Sequence, residues 1–191
     1  MKTLLVQSVA AVCLVFSGCP AYSVHPLYTD QDAVVEPALE GTWTDSSDRK
    51  IEFRFKQSGA HEYTLVVSNV DSGIEQNYKV NLVRLSDQVF VDLAFNDETL
   101  NGAQIDDRVG VIPTHAIAKL NISGNDLAYA TLEDEPVQEQ DTRATRLEHI
   151  NTDGGLLMTA QTEALRRYVS AHANDAFSDW NHLTRKPETR P

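Results

Sequence analysis

Histidines and clustered carboxylates are the residues of this chain with the most obvious potential for metal binding or catalysis. The six histidines form no His-x-His or His-x-x-x-His pair, and the chain has only two cysteines. Zinc sites need several such ligands at close spacing, so this pattern argues against a zinc site. We therefore expect no bound metal and no cofactor. We expect each histidine either to be hydrogen-bonded within the protein or to be exposed to solvent. The histidines are His25, His61, His115, His149, His172 and His182.

The acidic clusters are typical of solvated surface. They could bind calcium, but they lack the alternating oxygen donors of an EF-hand loop. The chain also has no Gly-x-Ser-x-Gly elbow, no glycine-rich phosphate loop and no dinucleotide fingerprint, so we expect no enzymatic activity. The clusters are Asp106 with Asp107, and Glu133, Asp134, Glu135, Glu139 and Asp141.

The amino-terminal residues are typical of an export signal that ends at a cysteine. Lys2 supplies a positive charge, and residues 4–16 form a mostly apolar run. A run of this length is too short to span a bilayer as a helix, but it suits a secretory signal. Ser17, Gly18 and Cys19 follow the run directly.

The stretch Ser17-Gly18-Cys19 resembles the lipobox of bacterial lipoproteins. The resemblance implies cleavage before Cys19, attachment of diacylglycerol to its thiol and acylation of the new amino group. The alternative is an ordinary signal followed by a free thiol. Cys13 leaves with the signal, so lipidation of Cys19 leaves the mature chain without a free thiol. More than one acyl chain makes such anchoring effectively stable.

The residue after Cys19 indicates where the lipoprotein would be held. In Gram-negative lipoproteins this residue influences sorting, and aspartate there is associated with retention in the inner membrane. The lipobox implies the cell envelope, and Pro20, which is not aspartate, implies the outer membrane facing the periplasm in a Gram-negative host. The net charge of −12 argues against a nucleic-acid partner and against membrane binding through basic residues.

The chain is expected to form one domain behind its signal. We assign 1–18 to the signal, 19–40 to the lipidated terminus and a spacer, 41–183 to the domain and 184–191 to a polar tail. The spacer is rich in apolar residues, so part of it should dock on the domain. From residue 41, apolar and polar residues alternate between turn residues, which is typical of an antiparallel meander.

About eight strands are predicted, which is enough to close a barrel without exposed edges. A helical spacing of apolar residues after Thr159 predicts one carboxy-terminal helix against the outside of the sheet. The predicted fold class is thus all-β, an antiparallel meander barrel with one carboxy-terminal α-helix. The predicted strands lie around residues 42–44, 51–55, 63–67, 78–82, 89–95, 116–122, 127–131 and 145–150.

Gly41-Thr42-Trp43 opens the first predicted strand, about 20 residues after the cysteine. A Gly-x-Trp here, followed by a meander and a late helix, resembles the lipocalin family and its barrel relatives. The stretches 25–29 and 37–43 are also similar to uncharacterised bacterial lipoproteins with a lipocalin-like domain. The resemblance implies that Gly41 permits a tight entry to the strand and that Trp43 closes the barrel floor. It also implies that a late arginine, Arg143 or Arg146, packs over Trp43.

Aromatic and small side chains are expected to line the inner face of the barrel. Such a face either encloses a small apolar or amphipathic ligand or fills the core. The first function we expect is a non-enzymatic, membrane-anchored lipoprotein that holds this ligand; the alternative is a structural or assembly lipoprotein that contacts an envelope protein. A cavity of about 300 Å³ or more favours the ligand. The expected lining residues are Phe53, Phe55, Tyr63, Tyr78, Phe95, Ala116, Ala118 and Tyr129.

Overall fold

The structure, a computed structural model, describes residues 21–95, 113–138, 147–152 and 155–187, with only the backbone at Phe95 and Glu135. The helices there are α1 (Asp134–Gln138) and α2 (Thr162–Ala171), and a 3-10 turn spans Pro37–Leu39. The strands are β1 (Tyr22–Ser23), β2 (Ala33–Val34), β3 (Gly41–Asp45), β4 (Ile51–Gln57), β5 (Glu62–Asn69), β6 (Ile74–Leu85), β7 (Gln88–Phe95), β8 (His115–Ser123), β9 (Asp126–Thr131), β10 (His149–Thr152), β11 (Gly155–Met158) and β12 (Trp180–Arg185).

Several sequence predictions concern residues outside these ranges. They include the signal, the lipidation site, parts of the acidic clusters and both arginines proposed to cover Trp43. The residues concerned are 1–18, Cys19, Pro20, Asp106, Asp107, Glu139, Asp141, Arg143 and Arg146.

Eight strands close an antiparallel barrel, which confirms the predicted fold class. Each strand from β3 to β9 pairs with the next one along the chain. The strand β12 then pairs with both β9 and β3 and completes the ring. Because the ring is closed, each of the eight barrel strands pairs with a neighbour on both sides.

The closing strand is not the one predicted. Residues 145–150 were expected to form it, but β10 pairs with β11 outside the barrel, and β12 takes the eighth position. Thr184 and Arg185, which the prediction places in the polar tail, belong to β12, and residues 188–191 of that tail lie outside the described residues. Only Leu183 in β12 is a buried apolar residue, so the alternation there is too weak to indicate a strand.

The two ends of the barrel are named here by their turns. The floor end carries the start of β3 and the β4–β5, β6–β7 and β8–β9 turns. The mouth end carries the β3–β4 turn at 46–50, the β5–β6 turn at 70–73, the end of β7 and the start of β8. Trp43 lies at the floor end, whereas β1, the first described strand, pairs with the start of β8 on the mouth side.

A second hydrophobic core lies between the outer wall of the barrel and α2, as predicted for the helix. The helix begins at Thr162, with Gln161 as its N-cap, rather than directly after Thr159. The strands β1, β11 and β10 extend the sheet from β8 beside it. Within the described ranges, no helix combines the length and apolar composition needed to cross a bilayer. The outer core includes Leu85, Phe90 and Ile117 from the strands and Leu165, Tyr168 and Val169 from α2.

Candidate functional site

The barrel interior brings together most of the side chains predicted to line it. The backbone of Phe95 pairs with Tyr78 near the mouth, while its side chain lies outside what the structure describes. The predicted residues that are buried there are Phe53, Phe55, Tyr63, Tyr78, Ala116, Ala118 and Tyr129. Aliphatic residues not singled out as lining complete the wall of the cavity, namely Leu65, Val91, Leu93, Leu120, Leu127 and Leu183. All but Leu183 belong to alternating runs that the sequence already indicates.

Packing fills most of this interior. The cavity lined by the described interior residues has a volume of about 50 Å³, against roughly 300–1,000 Å³ for small-molecule pockets and roughly 150 Å³ for a cavity that holds benzene. The rings of Phe53 and Tyr129 meet across it, with centroids 6.2 Å apart and planes tilted by 55°. Tyr63 and Tyr78 pack in the interior without lining the cavity. As far as the described residues show, the interior is therefore a packed core with a small apolar void.

The interior tyrosines serve as hydrogen-bonding groups. The Tyr63 hydroxyl donates to the Glu36 carbonyl and accepts from the Glu36 N–H, each at 3.0 Å. The Tyr78 hydroxyl donates to Gln76 Oε1 at 2.7 Å. Burial raises the pKa of Tyr78 to about 12 and also raises the pKa of Tyr129 above its ordinary value. Both phenols are therefore neutral at physiological pH and unsuited to act as bases.

At the floor end, Trp43 is fully buried and held from two sides. Its Nε1 donates to the Leu39 carbonyl at 2.9 Å, and the guanidinium carbon of Arg185 lies 4.0 Å from the centre of a Trp43 ring. The guanidinium also donates to the Glu40 carbonyl at 2.6 Å and to the Ala38 carbonyl. Arg185 thereby joins the closing strand to the turn that precedes β3.

Arg185 is the arginine that the structure places over Trp43. The register of β12 against β3 sets Arg185 opposite Trp43, so strand pairing brings the guanidinium to the indole. Arg143 and Arg146, which the resemblance suggests for this role, lie outside the described residues. The sequence prediction did not consider Arg185, because it assigned residues from 184 onward to a tail. Leu183 and Arg185 stand two positions apart and so face the same side of a strand. This spacing is the one local sign in the sequence that Arg185 belongs to a barrel strand.

Residues 21–40, expected to dock in part, contact the barrel at several points along the segment. Ala21 is fully buried, and its N–H donates to the Leu132 carbonyl at 3.0 Å. Val24 N–H donates to the Met158 carbonyl at 3.0 Å, and β2 pairs with β6. The segment is thus part of the folded unit from Ala21 onward, only two positions after Cys19.

A buried carboxylate in the outer wall holds the same segment. Asp92, 1% exposed, lies 2.6 Å from His115 Nδ1 through one oxygen, and its other oxygen accepts from the Leu27 N–H at 2.6 Å. A buried carboxylate is tolerated when each oxygen has a donor. Sequence reasoning missed Asp92, because an acidic residue within an alternating strand is expected to face solvent.

Among the described residues, the Asp92–His115 pair has no hydrogen bond to a nucleophile. The nearby Ser23 hydroxyl donates to the His25 carbonyl at 2.7 Å, so its proton is directed away from the imidazole. In the part of the chain that the structure describes, no group of three or more histidine, cysteine or carboxylate side chains is placed to hold a metal ion. The pair therefore acts here as a link between the amino-terminal segment and the barrel wall.

Comparison of the chain with protein-family models, with curated proteins and with solved structures found no match in any of the three. Function is therefore inferred from this chain's own features. They are the filled interior, the short link between Cys19 and the docked Ala21, and the distribution of apolar and charged groups over the surface.

Proposed function

We propose that the protein is a bacterial envelope lipoprotein, acylated on Cys19, that works through its surface as a structural or assembly component and not as an enzyme. The observation that carries the proposal is the interior volume of about 50 Å³. A filled barrel offers no compartment for a carried ligand of ordinary size, so recognition falls to the outer surface. The lipobox-like Ser17-Gly18-Cys19 supplies the anchor.

A relationship to lipocalin-like barrels is part of this proposal. Its support is the floor, where Gly41 opens β3, Trp43 is buried and Arg185 covers the indole. The proposed partner is a protein of the envelope. The net charge of −12 favours a partner with a basic surface, since complementary charge accelerates encounter and disfavours wrong partners.

The anchor is tested by fatty-acid labelling in cells. Replacement Cys19→Ala should abolish incorporation of labelled fatty acid and release the protein from the membrane fraction. The matched control is Cys13→Ala in the signal, which should leave labelling unchanged because Cys13 is removed on maturation. Labelling that survives Cys19→Ala would overturn the anchor.

The surface function is tested by crosslinking in cells. A photoreactive residue at exposed positions on the outer wall should return at least one specific protein partner. The same variants without irradiation serve as the control and should return none. Exposed positions that crosslink only to lipid or to abundant proteins would contradict the proposal.

A second candidate is a small apolar ligand inside the barrel. It is favoured by the lining of the cavity, which consists of apolar and aromatic residues. A guest larger than about 50 Å³ would have to displace side chains such as Phe53 or Leu93. Native mass spectrometry of the mature chain extracted from membranes distinguishes the two candidates. A stoichiometric bound species supports the ligand, and a bare chain supports the surface function.

A further inference from the structure

The folded barrel begins almost directly at the proposed lipid attachment. Ala21 is fully buried and hydrogen-bonded to Leu132. Cys19 precedes Ala21 by two positions, so their Cα atoms are at most about 7 Å apart. A lipid on Cys19 would therefore be held close to Ala21, with no long spacer between it and the folded domain.

Ala21 lies on the mouth side of the barrel. The next residue, Tyr22, pairs with Ala116 near the start of β8, and the Leu132 N–H, next to Ala21, donates to the Ile117 carbonyl. Ser123, at the floor end of the same strand, is six residues beyond Ile117, which is about 20 Å along a strand. Ala21 is thus closer to the mouth than to the floor.

Exposed apolar side chains concentrate at the same end. Of the four large apolar residues exposed among those described, Val70 and Ile74 lie at the β5–β6 turn, with 60% and 56% exposure. Ile150, 53% exposed, lies level with the start of β8 through the pairing of β10, β11 and β1. Trp180 lies on the outer wall. Clustered exposed apolar groups mark a contact surface for protein or membrane.

The charge of these turns suits a lipid surface. The β3–β4 and β5–β6 turns carry Arg49 and Lys50 against Asp48 and Asp71, so these two turns are neutral in a chain of net charge −12. Lys50 Nζ lies 2.6 Å from Asp71 Oδ2 and joins the two turns. The sequence between β7 and β8 is acidic, with Asp97, Glu98, Asp106 and Asp107 against Arg108. Repulsion by anionic headgroups is therefore weaker at the two neutral turns than over the acidic surface, and these turns are the part of the mouth end suited to a lipid contact.

From these observations we infer that the mouth end of the barrel rests on the phospholipid surface that holds the anchor, with Val70 and Ile74 in the headgroup region. The inference depends on the proposed acylation of Cys19. Exposed aliphatic side chains bind at this depth through the apolar area they bury. The floor end then points away from the bilayer and stays accessible to a protein partner.

The orientation is tested with a fluorescent probe on a single thiol. The acylated chain has no other free thiol, so Ser72→Cys labels the β5–β6 turn and Ser123→Cys labels the floor end as the matched control. Each lipidated protein is reconstituted in vesicles of phosphatidylethanolamine and phosphatidylglycerol with a nitroxide-labelled lipid. Quenching at position 72 should exceed quenching at position 123 at least twofold. Equal quenching, or stronger quenching at position 123, would overturn the inference.

The apolar contact is tested by the double replacement Val70→Ser and Ile74→Ser, which changes only exposed side chains. Quenching at position 72 should fall at least twofold, while the protein still sediments with the vesicles through its lipid. Unchanged quenching would show that the turn does not enter the headgroup region, against the inference.

Failure of the anchor can be separated from failure of the orientation. A mature chain that does not sediment with vesicles overturns the acylation of Cys19. The orientation is then tested on the chain with Cys19→Ser and a hexahistidine tag just before residue 19, bound to nickel-chelating lipid. Stronger quenching at position 72 than at position 123 again supports the inference, and a uniform pattern overturns it.

Discussion

Gly41 and Arg185 meet at the barrel floor, where each depends on the other. Gly41 has a φ of +125°, a conformation that residues with a side chain rarely adopt. A Cβ at this position would lie 2.7 Å from Arg185 Nη1. Glycine is therefore required for the backbone conformation, and a side chain at this position would also displace the guanidinium from its place over Trp43.

The replacement Gly41→Ala should lower the free energy of unfolding by about 2–3 kcal/mol, because it combines backbone strain with a clash. Gly73→Ala is the matched control: Gly73 also has a positive φ, +68°, but a Cβ there meets nothing within 4 Å. Gly73→Ala should lower the free energy of unfolding by less than Gly41→Ala does. The measurement is urea denaturation of both variants.

A double-mutant cycle isolates the clash. In the Arg185→Ala background, Gly41→Ala should cost less than in the native chain, because the atom that it meets is gone. Equal costs in the two backgrounds would show that Arg185 does not restrict position 41.

Residues close together in sequence were the easier ones to predict. Gly41 and Trp43 stand two positions apart and carry a recognisable motif, and the structure places them at the barrel floor. Arg185 and Asp92 were missed, because their partners are distant in sequence and no local pattern indicates them. Asp92 meets Leu27 65 positions away, and Arg185 meets Glu40 145 positions away.

At the scale of elements, closure of the barrel depends on β12, because β12 pairs with both β9 and β3. Leu183 is its inward apolar residue and is 1% exposed, whereas its neighbour His182 is exposed. Without β12, two long strand edges would be left open to pairing with other chains.

The replacement Leu183→Asp should prevent closure, because it places an unpaired carboxylate in the apolar interior. We expect a loss of more than about 3 kcal/mol of stability, or no folded protein. His182→Asp, at the adjacent exposed position, should change stability by less than about 0.5 kcal/mol. Thermal unfolding followed by circular dichroism compares them, and similar melting temperatures would contradict the role of β12.

The amino-terminal segment depends on the buried carboxylate of Asp92. Asp92→Ala removes the acceptor of both the Leu27 N–H and His115, so stability should fall by about 2–4 kcal/mol. Hydrogen exchange at Leu27 should accelerate more than exchange in β4. Asp30→Ala, an exposed position on the same segment, is the control. Unchanged exchange at Leu27 in Asp92→Ala would show that the hydrogen bond from Leu27 to Asp92 does not keep the amino-terminal segment docked.

Elements that carry their own alternation were predictable, and elements that exist only by pairing were not. The strand β4 alternates Phe53 and Phe55 with exposed Arg54 and Lys56, and the sequence indicates it directly. By contrast, β1 and β2 are two residues long and form only by pairing with strands distant in sequence, β1 with β8 and β11 and β2 with β6. Length and periodicity decide this difference, since two residues show no period.

At the scale of the whole molecule, two hydrophobic cores share the wall formed by β6, β7, β8 and β9. The side chains of these strands that point inward fill the barrel, and those that point outward pack against α2 and the amino-terminal segment. Tyr168 of α2 buries its hydroxyl without a hydrogen-bond partner among the described residues. Burial raises the pKa of Tyr168 to about 12, as it does for Tyr78 in the inner core.

These tyrosines predict a loss of stability at alkaline pH. Their folded-state pKa of about 12 exceeds the ordinary value of 10.0. The unfolded chain therefore releases its protons first, so stability is retained below pH 10 and falls between pH 10 and 12. The urea midpoint measured across this range should decline. The double variant Tyr78→Phe and Tyr168→Phe should decline less steeply, and an equally steep decline would assign the effect to other groups.

The measurement that tests the central claim most directly is the intact mass of the protein extracted from membranes of cells that express the full chain. A lipoprotein predicts a chain that begins at Cys19 and carries a diacylglyceryl group and an amino-linked acyl chain. A chain that begins at another residue, or that begins at Cys19 with an unmodified thiol, would contradict the account.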